Sequence, residues 1–316
     1  MSPMVLALPG GERLAARLQR ALHGPDGALS IHRFPDGEVR VQIRGDPKEQ
    51  VVVLVGSLDR PDEKVLPFLF AAGAARAMHA RAIGLVAPYF PFLRQDAAFR
   101  PGEAVSARLF GALVSGTVDW LVTVDPHLHR IHQMRELLTV PADVVHSAPL
   151  IAGWLRHRVE RPVIVGPDEE SAQWVAEVAA GVDAPWVVMA KHRRGDHAVE
   201  LVLPPMAGVE GRQPVLVDDI VASGGTIRAA SRLLASAGLP LRWVVAVHAV
   251  ADPLSAKALE REAGVELVTC NTIPHPSNRI DVLDAIRTAV ERRIPAGAPG
   301  RSRDGGEVRR CACAGA

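Results

Sequence analysis

Short runs of β-branched and aliphatic residues alternate with stretches of helical spacing along almost the whole chain. No other feature constrains the fold as much. Residues 51–55 (VVVLV), 82–87 (AIGLVA) and 120–124 (WLVTV) read as buried strands, with helical patterns at 61–78 and 105–114 between them. The second half keeps the rhythm, with strands at 162–165, 186–189, 214–217, 241–247 and 266–269 and helices at 169–180, 226–237 and 280–294. Over 226–237, Ile227, Ala230, Leu233, Leu234 and Ala237 share one face, and Gly238 is the expected stop. Apolar strands joined by helices imply mainly parallel sheets flanked by helices. The halves share a layout, and 316 residues leave room for two cores. The predicted organisation is an α/β chain of two similar domains, 1–148 and 149–295. Residues 296–316, a Gly/Pro/Arg mixture without periodicity, read as a disordered tail.

Composition enters mainly through what it excludes. Lys+Arg 36 against Asp+Glu 35 leaves a formal charge of +1, which argues against a chain that coats nucleic acid or an anionic membrane. The three cysteines, Cys270, Cys311 and Cys313, allow no disulfide framework or metal knuckle. The start lacks a signal-peptide pattern, and no apolar run reaches the ~20 residues of a membrane helix. A soluble, cytoplasmic protein is the expectation. Neither G-x-x-x-x-G-K-[ST] nor G-x-G-x-x-G occurs, so no Walker-type or dinucleotide fingerprint is present.

The sharpest local signal is PVLVDDIVASGGT at 214–226. A hydrophobic strand meets Asp218 and Asp219, passes through small residues and enters a helix at about Thr226. Ala222, Ser223, Gly224 and Gly225 leave backbone N–H groups free to close around a phosphate at a helix N-terminus. Paired carboxylates at the C-terminal edge of a strand suit ribose hydroxyls or a metal shell, and open α/β sheets bind ligands at that edge. An ordinary strand-to-helix turn would explain a Gly-Gly pair, but not the acidic pair, strand and SGGT together.

This segment resembles the phosphoribosyl-diphosphate loop shared by type I phosphoribosyltransferases and ribose-phosphate diphosphokinases. Further matches, in order along the chain, single out the diphosphokinases: FPDGE at 34–38, PYFPFLRQDAAFRPG at 88–102, VDPH at 124–127, GPD at 166–168 and KHR at 191–193. The wording of the loop is closer to archaeal-type members of that family. The resemblance implies two phosphoribosyltransferase type I-like domains. It also implies transfer of the diphosphoryl group of ATP to ribose 5-phosphate, with Mg²⁺ on the ATP phosphates.

Carried over position by position, it puts ribose 5-phosphate at Asp218, Asp219, Ala222, Ser223, Gly224, Gly225 and Thr226. ATP falls to Arg94, Gln95, Asp96 and His127, and the metal to His127 and Asp168. Phe34, Asp36 and Glu38 would reach the adenine of a neighbouring subunit, which implies a homo-oligomer. Lys191 and Arg193 would act from a closing flap. The chain's other lysines are Lys48, Lys64 and Lys257, so a lysine at 191 stands out against an arginine-rich background.

Three other readings compete. The HLHRIH run could suggest zinc, but it has no cysteine nearby, and His129 and His132 read as surface or packing residues. A catalytically silent partner of an active enzyme, or a diphosphokinase for another phosphorylated pentose, would keep much of the same pattern. Ala222, where relatives often carry Ser or Asp, bears on the last of these.

Overall fold

The computed structural model describes residues 2–194, 198–204 and 208–294, with the backbone alone over 191–200. The tail expected over 296–316 lies outside the described residues, as do the side chains of Lys191 and Arg193.

The first half runs β1 (Met4–Ala7), α1 (Glu12–Leu22), β2 (Ala28–Arg33), β3 (Val39–Arg44), β4 (Val51–Val55), α2 (Pro61–Ala77), β5 (Ala82–Val86), α3 (Ser106–Thr117), β6 (Trp120–Val124) and β7 (Ala142–Val145). Helix α4 (Ala148–Arg156) follows. The second half runs β8 (Pro162–Gly166), α5 (Ala172–Gly181), β9 (Trp186–Val188), β10 (Ala190–Arg194), β11 (Ala198–Val202), β12 (Gln213–Val221), α6 (Gly225–Ser236), β13 (Trp243–Ala249), α7 (Pro253–Ala263), β14 (Glu266–Cys270), β15 (Asn278–Ile280) and α8 (Leu283–Arg293).

Five strands form a parallel sheet in the order β1-β4-β5-β6-β7, and six form another in the order β15-β14-β13-β12-β8-β9. Two antiparallel hairpins, β2-β3 and β10-β11, stand apart from them. Strand β4 is buried along its whole length, as a parallel strand covered on both faces must be.

Three layers of apolar side chains follow from this arrangement. Leu54, Phe68, Ile83 and Phe110 pack α2 and α3 on the outer face of the first sheet. Leu216, Ile227, Leu234 and Leu259 pack α6 and α7 on the outer face of the second. Between the sheets lies one shared core, in which Leu18, Val53 and Val122 meet Ile151, Val175, Val245 and Ile286. Helix α1 packs on α8, and α4 on α5, within that shared layer. Arg17 pairs across it with Asp281 at 2.6 Å, and Arg293 with Asp143.

Several elements carry no clean signal in the sequence. The helix expected over 280–294 begins only at Leu283, because residues 278–280 pair with β14 as an edge strand. The strand expected to close at Val217 runs on to Val221, since Ile220 and Val221 keep their pairing with β13.

Candidate active site

A cleft of about 870 Å³ opens where the two halves meet, within the range of about 300–1,000 Å³ usual for small-molecule sites. Its walls are the C-terminal ends of β6, β8 and β12, the edge at which parallel sheets present functional groups. Arg94, His127, Asp168, Asp218 and Asp219, five residues singled out from the sequence, line it together.

The acidic pair lies inside β12, half-exposed toward the cleft. The carboxylate of Asp218 accepts the Asp219 N–H at 2.9 Å. Burial, and then the charge of Asp219, push the Asp218 carboxyl well above its ordinary range. Burial acts on Asp219 in the same sense, but the hydrogen bond from His127 and the His127 and His248 charges outweigh it and hold Asp219 low. One fold thus gives two adjacent carboxyls opposite tendencies.

His127 follows β6 on a loop held by Asp125. That residue takes φ +31° just before Pro126, a backbone conformation disfavoured for a non-glycine residue, and its carboxylate secures it. The Asp125 carboxylate accepts the Ser147 N–H at 2.8 Å and the Ser147 hydroxyl at 2.5 Å. Its carbonyl lies 3.2 Å from His248 Nε2, which ties the loop to β13 of the other half. His127 Nδ1 meets the Asp219 carboxylate, its Nε2 meets His129 Nε2, and His129 Nδ1 lies 2.6 Å from Glu170.

His129 and Glu170 were not among the residues picked out from sequence. The H-x-H spacing was the only trace of them, and it made His129 a surface or packing residue. Its place in the chain from Glu170 to Asp219 depends on two loops converging from different halves.

The remaining sites fall elsewhere. Gln95 bonds the Ala97 carbonyl at 3.1 Å and Glu103 at 3.2 Å, closing its own loop. Asp96 is buried, and its carboxylate accepts the Arg130 N–H at 3.1 Å and bonds the Arg130 guanidinium at 3.0 Å. Arg130 also sits over the Phe99 ring at 5.1 Å. Phe34, Asp36 and Glu38 occupy the tip of the β2-β3 hairpin, where the Phe34 N–H donates to the Glu38 carbonyl at 2.8 Å, and they do not line the cleft.

Ala222 and Ser223 border a separate, shallower depression beside α7. Gly224 takes φ +74°, and a Cβ there would stand 2.6 Å from Leu259, so this turn into α6 is open to glycine alone. Helix α6 begins at Gly225, one residue before the expected start. Lys191 and Arg193 fall on β10.

Two parallel sheets that share a five-strand order, the second extended by β9 and carrying an acidic pair before a glycine-opened helix, define a phosphoribosyltransferase-type α/β protein. Comparison with known proteins narrows this class. Residues 134–283 match the phosphoribosyl transferase domain, and residues 4–116 match the N-terminal domain of ribose phosphate pyrophosphokinase. The ribose-phosphate pyrophosphokinase of Methanopyrus kandleri is 33% identical over 291 residues, covering 91% of this chain and 98% of that protein. That of Saccharolobus solfataricus is 32% identical over 76% of this chain and 82% of its own length. Ribose-phosphate pyrophosphokinase 1 of Streptococcus pyogenes is 28% identical, covering 90% of each chain. The crystal structure of phosphoribosylpyrophosphate synthetase from Mycobacterium smegmatis superposes with a TM-score of 0.78 at 23% identity, over 92% of this chain and 98% of that one, and shares the fold. The chain belongs to the ribose-phosphate pyrophosphokinase family.

Proposed function

We propose that the cleft transfers the β,γ-diphosphoryl group of ATP to the anomeric hydroxyl of ribose 5-phosphate. The sugar oxygen bonds to the β-phosphorus and the bond to the α-bridging oxygen breaks. AMP leaves with that electron pair, the hydroxyl proton is released, and 5-phosphoribosyl 1-diphosphate remains. The observation that carries this reading is the contact between His127 and Asp219, which joins the loop after β6 of one half to strand β12 of the other in one cleft.

Asp218 and Asp219 orient the ribose hydroxyls, and the backbone amides of 222–226 take the 5-phosphate. Arg94 and the His127–His129 pair face the ATP phosphates, with Glu170 keeping His129 in place. Asp96 acts at one remove, since it holds the Arg130 segment that follows His129. Lys191 and Arg193 close over the transferred group from the β10-β11 hairpin and stabilise charge on its equatorial oxygens. Such a transfer needs positioning more than covalent chemistry, and a closed hairpin keeps water from competing for the diphosphoryl group.

Magnesium fits this donor set. Among the described residues no three His, Cys, Asp or Glu side chains form a ready cage. Mg²⁺ is usually held by one or two carboxylates together with substrate phosphates and water. Asp168 would hold it, with His127 joining by giving up one of its present contacts. When bound, the ion neutralises charge on the transferred phosphates.

Phe34, Asp36 and Glu38, at an exposed hairpin tip outside their own chain's cleft, reach the adenine bound by a neighbouring copy, so the active form is a homo-oligomer. The reaction is tested by incubating the chain with ATP, ribose 5-phosphate and Mg²⁺ and resolving the nucleotides. AMP with 5-phosphoribosyl 1-diphosphate is the expected pair, and ADP in place of AMP refutes the reading. Among the described residues no helix is long and apolar enough to cross a membrane, so the assay needs no lipid.

A further inference from the structure

The groups that line the cleft must be held at one spacing, yet they come from different halves. Asp218 and Asp219 belong to β12 of the second sheet, and His127 to the loop after β6 of the first. His248, near the end of β13, connects the two. Its register partner on β12 is Ile220, the residue after Asp219. Its Nε2 lies 3.2 Å from the carbonyl of Asp125, two residues before His127. One side chain thus runs from the strand beside the acidic pair to the backbone of the histidine loop.

The ring is held on every side. His248 is only 1% exposed. The Tyr89 ring of the first half packs against it edge-on, with centroids 5.0 Å apart. Its Nδ1 lies 2.9 Å from Oγ1 of Thr272, a buried residue after β14 whose hydroxyl also lies 2.7 Å from the Val247 carbonyl. A carbonyl oxygen can only accept, so the bond to Asp125 requires a ring proton on Nε2. His248 therefore presents a fixed N–H donor to the first half.

That donor acts where the loop needs it. Asp125 takes a backbone conformation with φ +31°, and other bonds that hold it come from its own half. Its N–H donates to the Val145 carbonyl at 3.1 Å, and its carboxylate accepts the Ser147 N–H at 2.8 Å. These contacts fix the loop to the first sheet and leave its distance from the second unset. Packing alone would be met at less cost by an apolar side chain, since a buried polar group is tolerated only when it is hydrogen-bonded.

We propose that His248 is a positioning residue for the reaction: its Nε2–H fixes the loop of Asp125 and His127 at the spacing from Asp219 that diphosphoryl transfer requires. It acts through the Asp125 carbonyl rather than on a substrate. This assignment rests on the transfer proposed above, which AMP formation by the parent chain tests separately.

Glutamine and asparagine place an amide N–H near the ε and δ positions of the lost ring, so they separate the two contacts. His248→Gln should restore the Asp125 bond and keep kcat within about threefold of the parent. His248→Asn should lower kcat roughly 10–100-fold, as a misplacement of about 1 Å can, with a much smaller change in the KM for ribose 5-phosphate. Amide exchange over residues 124–129, followed by mass spectrometry, reads the loop without turnover and so tests the positioning even where no product forms. Protection should stay parental in the glutamine variant and fall in the asparagine variant. Should the latter fail to fold, His248→Met, which matches glutamine in length and lacks the donor, takes its place. The proposal is overturned if the donor-free variant keeps parental kcat or parental protection, or if its loss falls on KM instead. It is equally overturned if the glutamine variant loses either property or does not fold, because an ε donor then does not suffice.

Discussion

At the scale of single residues, the acidic pair shows what burial does to chemistry. Asp218 is raised by burial and by its neighbour's charge, so its folded carboxyl lies above its unfolded value of about 3.9. A carboxyl raised on folding contributes stability fully below the unfolded pKa, and that contribution is lost as pH rises through the folded value. The ionised side chain thus weakens the unliganded protein at neutral pH. Asp218→Asn keeps an acceptor for the Asp219 N–H and removes the charge. We expect its melting temperature to exceed that of the parent at pH 8 and to match it at pH 4, by thermal scans at both. A lower melting temperature at pH 8 would show that the charge is compensated. Lys191 belongs to the same scale. A contact made only in the transition state appears in kcat, so Lys191→Ala should lower kcat roughly 10²–10³-fold with little change in KM. Steady-state kinetics separates that outcome from a loss of substrate binding.

At the scale of elements, one proline ties a helix to a hairpin. Pro67 lies inside α2 and has no N–H for the Glu63 carbonyl four residues earlier. Arg33, at the end of β2, donates to that carbonyl instead, at 2.5 Å. A defect in the helix ladder has become the anchor of the hairpin that carries Phe34. Removing the anchor forfeits about 1 kcal/mol of net hydrogen bonding, a factor of roughly five. Arg33→Ala is therefore expected to raise the KM for ATP about fivefold and leave that for ribose 5-phosphate unchanged. Initial rates varied in each substrate check this, and an equal rise in both would detach the hairpin from the nucleotide.

At the scale of the whole molecule, the two halves are not independent bodies. Leu18, Val53 and Val122 of one half share a core with Val175, Val245 and Ile286 of the other. Cutting between them would expose that face on both pieces. Residues 1–147 and 148–294 produced separately should lack the cooperative unfolding transition of the full chain, as read by circular dichroism on heating. Two independent transitions would show that each half sustains its own core. Assembly is tested by complementation. Mixed and reassembled, Phe34→Ala and Lys191→Ala chains should regain roughly a quarter of parental activity if each site takes Phe34 from one copy and Lys191 from another. Activity no higher than the mean of the two variants would place both residues in one chain's site.

The order of strands and helices, the acidic pair and the family motifs were legible in the sequence because each is written locally, in periodicity or in neighbouring residues. FPDGE, RQD, VDPH, GPD and the SGGT loop pointed to the family, and relatives matched over most of their length agree. The composition's near-zero charge concealed a polarised site, since a total of +1 says nothing about where charges lie. What escaped the sequence depends on distance. β15 is a strand only because β14 lies beside it, and Asp218 and Asp219 lie within β12 because β13 extends the pairing. His129 and Glu170 join the cleft through a loop after β6 in one half and a turn after β8 in the other. The chain's own wording determined which elements form and which chemistry they carry. Only tertiary packing decided which residues touch, because contacts between segments far apart in the chain depend on how both sheets close over their shared core.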